Sequence, residues 1–316
     1  MNIEKIHKQI LSSRPLLFII VFVFVILRLY INGNQLDNLS FWVSLTVQLG
    51  VAFLLLQLNH IFNIIQGHTL LPSLFYLLFT GSNPVFFYDW KGSIAALCFV
   101  LCYYFLFNSY QKPDSQINAL NISLLLVLGS LLWTPLLLFF PVLWIGFYRF
   151  QCFNGRLFFA SLTGFVIVYL FIFTWSIFQG DKNIFLSLLP QFESFSAIRI
   201  PDLSVLEWVI GGFVLFICLI IGISLFFFNI SEKVWTITVL TYFYLSAFII
   251  LAFFFLLNEY KSSWGLVGYV PTAFLTGHFF SRTNKKSVKY LLLVFILFFV
   301  GIGFIQYLGS QHFPFS

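Results

Sequence analysis

Apolar residues run along this chain in long unbroken blocks separated by short polar turns. The first block is Pro15–Ile31, carrying Arg28; the second is Phe41–Ile65; a short third is Leu70–Thr80; the fourth is Gly92–Phe107. A helix that crosses a bilayer needs about 20 apolar residues, so these blocks predict membrane spans rather than strands, which would alternate every second residue. The stretch Ala119–Phe147 is too long for one comfortable span and short for two, with Trp133-Thr134-Pro135 near its middle. Proline removes an amide donor and disfavours helix in the residue before it, which predicts two short helices joined there. Further spans are predicted at Leu157–Phe178, Leu206–Phe228, Val234–Leu257, Trp264–Phe280 and Tyr290–Leu308. Residues 179–205 mix Asp181, Lys182, Glu193, Arg199 and Asp202 with several Phe, Leu and Ile, the composition of a segment lying in the membrane interface. The predicted fold is therefore all-α: one polytopic helical bundle over residues 15–308 with about eleven spans. The number falls to nine if the short pieces merge or are re-entrant. A segment 1–14 precedes the bundle and a short tail 309–316 follows it.

Composition narrows the class further. Of 316 residues 60% are apolar and 8% charged, against about 25% charged in soluble domains. Too few charges remain to cover a water-exposed surface, and disorder is excluded by the same numbers. No soluble domain fits between the spans. Phe supplies 46 residues, read at this level as lipid-facing bulk rather than a cofactor box.

The net charge of +6 would suggest nucleic acid in a soluble protein. Here it resolves into topology. With the N-terminus in the cytoplasm and spans alternating, Lys5, Lys8, Arg14, Lys112, Arg149, Arg156, Lys233, Arg282, Lys285, Lys286 and Lys289 fall inside. Only Lys91, Lys182, Arg199 and Lys261 fall outside, the bias of the positive-inside rule. Acidic residues lean outward. The polar residues 1–14 lead into the first span without a small-residue cleavage site, so Met1 is expected as the mature start and the first helix as a signal anchor.

Candidate chemistry is sparse. Arg28 lies about three residues from the outer end of its helix. It either snorkels to outer headgroups or anchors a lipid phosphate or carboxylate in an outward-facing cavity. On the second span Asn59, Asn63 and Gln66 follow an i, i+4, i+7 pattern and share a face, with His60 beside them. That face implies interhelical hydrogen bonding or a polar cavity opening to the cytoplasm. Asp37, in the first outer loop, occupies the place where membrane glycosyltransferases with polyprenyl-linked donors often carry an acidic base or metal ligand. It is equally placed to cap the next helix. His60, His68 and His278 come from different helices without ligand spacing, so neither a metal site nor a cofactor is expected. Cys98, Cys102, Cys152 and Cys218 form no CxxC motif and read as packing residues. No GxSxG or phosphate-loop signature occurs.

Leu58-Asn59, Leu71-Pro72 with Tyr76, Gly129-Ser130-Leu131 with Pro135, Trp144-Ile145 with Arg149, and Gly164-Phe165 follow in order. In this series residues 15–180 resemble a family of uncharacterised Bacteroidetes-type multi-spanning inner-membrane proteins. The resemblance implies a cell-envelope location, no established activity and no catalytic residues to carry over. Some members carry carotenoid-cleaving labels, and the histidine pattern here argues against that chemistry.

Three function classes follow. One is a structural or assembly component of the bacterial inner membrane with envelope protein partners. The second is a lipid-linked glycosyltransferase or polymerase, using Asp37 and Arg28 on a polyprenyl phosphate at the outer face. The third is a small-molecule transporter built on the polar half of the second span. Membrane lipids are partners of all three, and nucleic acid of none.

Overall fold

The computed structural model describes residues 38–65, 69–82, 84–180, 234–256 and 261–282, with scattered positions between 21 and 29 and between 294 and 301. The described residues hold no strand. Eight α-helices are bounded among the described residues, in order: α1 Leu39–Phe62, α2 Leu71–Gly81, α3 Trp90–Asn108, α4 Gln116–Leu132, α5 Phe139–Arg149, α6 Gly155–Gln179, α7 Val234–Leu256 and α8 Lys261–Arg282. Four of them are long and apolar enough to cross a membrane: α1, α3, α6 and residues Val234–Phe254 of α7. The protein is thus an all-α bundle of membrane-spanning character.

Local sequence sets the helix boundaries. Asn38 caps α1 by accepting from the Ser40 amide at 3.0 Å, and Asn154 caps α6 by accepting from the Leu157 amide at 2.8 Å. The Trp133-Thr134-Pro135 break falls where proline chemistry puts it. α4 stops at Leu132, Trp133 is extended, and a 3-10 turn Thr134–Leu138 feeds α5. α2 and α5 have 11 residues each, about 16 Å of helix and half a bilayer core.

Contacts fix the direction of each helix. At one end Trp235 at the start of α7 donates from Nε1 to the Phe62 carbonyl at the end of α1, at 3.1 Å. Tyr110 and Phe150, beyond the ends of α3 and α5, pack their rings on Trp235 there. At the other end Asp89, before α3, meets Ser262 and Ser263 at the start of α8. From α1 to α6 the described helices alternate in direction; α6 and α7 both start at the Trp235 end, and α8 runs opposite to α7. The predicted spans at Leu206–Phe228 and Tyr290–Leu308, the interfacial segment 179–205 and the two terminal segments lie outside the described residues or largely so.

α8 is the axis of the bundle. It packs against α7, α2 and α3 and is buried almost without interruption from Ser263 to His278. A helix walled by protein need not be apolar, and α8 carries Ser262, Ser263, Thr272, Thr276 and His278. α6 is the opposite case. Leu157, Ser161, Gly164, Val168 and Ile172 face inward, and Gly164 backs directly onto the Leu120 carbonyl and Ser123 hydroxyl of α4. Its other faces, from Phe159 to Phe178, are exposed.

The expectation that Phe is lipid-facing bulk needs correction. Phe41, Phe75, Phe79, Phe87, Phe99 and Phe107 are among the largest fully buried side chains. Their rings chain through the core at centroid distances such as 4.7 Å for Phe99–Phe139 and 4.7 Å for Phe243–Phe274. Such aromatic pairs add specific geometry to dispersion, the main packing force where lipid is as apolar as the core.

Candidate functional site

Among the described residues, three clusters of interior polar groups stand out. The first surrounds Arg28, which is 1% exposed. Its Nη2 donates to Oε1 of Gln48 on α1. Its guanidinium lies over the Phe87 ring at 3.9 Å and the Phe24 ring at 4.7 Å, which suits a planar cation withdrawn from water. Gln48 is itself held. Its Nε2 lies 2.9 Å from the Phe86 carbonyl and 3.0 Å from both the Ser44 and Ser93 hydroxyls, and Ser44 also donates to the Phe86 carbonyl at 3.1 Å. One turn of α1, the start of α3 and the 3-10 segment Pro84–Phe87 thus meet on a single amide. The buried Tyr76 of α2 faces the Arg28 charge, and its hydroxyl has no hydrogen-bond partner among the described residues. Tyr88 stands at the same corner. Burial raises its phenol above the ordinary range, and the Arg28 charge opposes that rise.

The second place is Asp89. Oδ1 accepts from the Gly92 amide at 2.8 Å, and Oδ2 accepts from the Ser262 and Ser263 hydroxyls at 2.7 and 2.6 Å. The carboxylate therefore caps α3 and ties it to the first turn of α8, where both helix dipoles favour a negative charge. Gly92 is required by this joint, because a Cβ there would lie 2.7 Å from the Ser263 Cα.

The third is Asn59, near the end of α1. Its Oδ1 accepts from the Ile65 amide at 2.9 Å, and its Nδ2 reaches the Thr69 carbonyl and hydroxyl at 3.4 Å. The side chain clamps the connection from α1 to α2.

These positions revise several expectations. Arg28 does not snorkel: its head is buried between two rings and an amide rather than extended to the bilayer surface. Asn63 does not share a helical face with Asn59. The helix ends at Phe62, and Asn63 terminates it in the left-handed conformation, φ 47°, a role Asn fills because it tolerates that region. Asn63 and His60 are exposed while Asn59 is buried, so the three do not converge. Asp37 and Gln66 lie outside the described residues. No group of three or more His, Cys, Asp or Glu able to hold a metal occurs among the described residues. Sequence reading passed over Ser44, Gln48 and Ser93. The i, i+4 pair Ser44 and Gln48 inside an otherwise apolar span was the available signal. It also passed over Asp89 as a fastener, although an Asp immediately before an apolar helical run is an N-cap pattern.

Near the other end, the Cys152 thiol donates to the Phe147 carbonyl at 3.3 Å, and burial pushes it up to about 11. That makes it an inert packing thiol. No family model, curated protein or solved structure matches the chain.

Proposed function

We propose that this chain is a multi-pass component of the bacterial inner membrane with a structural or assembly role in the cell envelope. In this reading about eleven helices cross the bilayer, the N-terminus is cytoplasmic, and the end bearing Lys112, Arg149 and Arg156 faces the cytoplasm. The observation that carries the role is where the interior polar groups go. Gln48 joins Arg28 to three backbone and hydroxyl acceptors, Asp89 joins two helix starts, and Asn59 closes a loop. Each is engaged in holding one segment of the bundle to another, which suits a scaffold whose working surface is its exterior.

Cross-linking in intact cells, followed by purification and quantitative mass spectrometry, tests this. A scaffold yields an envelope protein at fixed stoichiometry whose linked lysines map to one face. Recovery of the chain alone, at native abundance and with efficient cross-linking of a control complex, overturns it.

A second reading draws on one specific feature, the Arg28 cation facing the Tyr76 hydroxyl, which has no hydrogen-bond partner among the described residues. It makes this corner a phosphate anchor for a polyprenyl-linked substrate at the outer face, with Asp37 as the base. Retention of a polyprenyl phosphate by the purified wild type, and its loss in Arg28→Ala, would favour that reading.

A further inference from the structure

We propose that the end of the α4–α5–α6 unit bearing Lys112, Arg149 and Arg156 is a docking surface for an anionic phospholipid. The three cations face its phosphodiester, and its acyl chains lie along the exposed flank of α6. The inference rests on the membrane setting of the bundle and is independent of the assembly role.

Two tight loops place the three cations at one end of the bundle. The loop after α3 and the loop between α5 and α6 are fastened by the Gln111 amide donating to the Phe150 carbonyl at 3.0 Å. Asn154 Nδ2 adds a bond to the Pro113 carbonyl at 2.7 Å. Left-handed backbone at Gln111 and Gln151, φ 55° and 58°, sharpens both turns. Lys112 lies in the first loop, Arg149 ends α5 and Arg156 opens α6, and all three are exposed. Lys112 Nζ lies 3.2 Å from the Asn108 amide oxygen, and Arg149 Nη2 lies 3.3 Å from the Thr241 hydroxyl. Both are neutral partners that orient the heads without cancelling their charge. Asp114 is the one acidic residue in these two loops, leaving a net positive patch.

The apolar half of the surface begins one turn on. Phe159, Val166, Leu170 and Phe171 are 55–70% exposed, and only 33% of the α6 span is buried. Tyr148, 73% exposed, and Phe153, 44% exposed, flank the cations at the level where aromatic side chains sit between headgroup and tail. A cationic rim above a continuous apolar flank matches a phosphodiester above acyl chains, which a partner protein would not need to combine in that order.

The test uses the full-length protein purified in neutral detergent. Native mass spectrometry and thermal denaturation are run with added phosphatidylglycerol, phosphatidylcholine or inorganic phosphate. Wild type should retain phosphatidylglycerol in preference to phosphatidylcholine and gain thermal stability from it alone. Arg149→Gln/Arg156→Gln should retain it about thirtyfold more weakly while keeping the phosphatidylcholine baseline. Lys91→Gln, at the opposite end, should behave as wild type. An equal phosphatidylglycerol preference in wild type and the double variant overturns the proposal. So does stabilisation by inorganic phosphate alone, or a dimer formed through α6 that is indifferent to lipid.

Discussion

Gln48→Leu is the sharpest perturbation of the bundle interior. Leucine nearly matches the volume of glutamine, so no large cavity opens and the change is chemical. It removes the acceptor of the Arg28 guanidinium and the donor shared among Phe86, Ser44 and Ser93. A hydrogen bond to a charged group is worth about 1.5–3 kcal/mol. Neutral interhelical bonds in a membrane average about 0.6 kcal/mol because the unfolded state also finds partners. The expected loss is about 2–3 kcal/mol, roughly a 30- to 150-fold fall in the folded-to-unfolded ratio. Arg28→Met removes the charge and the need for an acceptor, and alone should cost about 1–2 kcal/mol. With both changes the orphaned charge is gone, so the pair should lose less than the two singles together by about 1–2 kcal/mol. Reversible unfolding in mixed micelles, followed by intrinsic fluorescence, measures the cycle. Additivity within about 0.5 kcal/mol, or a Gln48→Leu protein as stable as wild type, would refute the network as a fastener.

Other positions give independent checks. Asp89→Ala should destabilise by about 2–3 kcal/mol, since a helix cap and two hydroxyl bonds to a carboxylate are lost, and Asp89→Asn by less; the same unfolding assay reads both. Gly164→Leu should collapse the α4–α6 crossing and turn a monodisperse peak on size-exclusion chromatography into aggregate, whereas Gly155→Ala, with open space around it, should not. Asn63→Gly should be neutral and Asn63→Val destabilising by about 1 kcal/mol, because only the first tolerates the left-handed cap. Cys152, with its thiol raised to about 11, is neutral at pH 8 and roughly one part in a thousand thiolate. Maleimide labelling mapped by mass spectrometry should therefore miss it in the folded protein, with reactivity appearing only toward pH 11 or on unfolding. Ready labelling at pH 8 would contradict its burial.

The fold was legible where physics is local. Apolar block length located α1, α3, α6 and α7, and a single Trp-Thr-Pro sequence located the break between α4 and α5, because proline acts on its own backbone and its immediate neighbour. The positions of polar partners were not legible. Gln48 finds Arg28 twenty residues away and Phe86 thirty-eight away, and Asp89 finds Ser263 across 174 residues. Nothing in a periodic pattern specifies such pairings. Asn63 was misassigned because i, i+4 spacing describes a face only while the helix continues, and the helix stops one residue earlier. Phe was misread for a related reason. In a membrane protein the same residue serves lipid and core, so composition does not separate the two, and burial must be read from packing.

The most direct test of the assembly account is complementation of a deletion strain by the paired variant Arg28→Met/Gln48→Leu. A fastening role predicts that this protein, present in membranes at wild-type level, restores the wild-type envelope phenotype, since the charge and the acceptor have been removed together. Wild-type abundance with no rescue would contradict the account and would make the Arg28 guanidinium itself the working group.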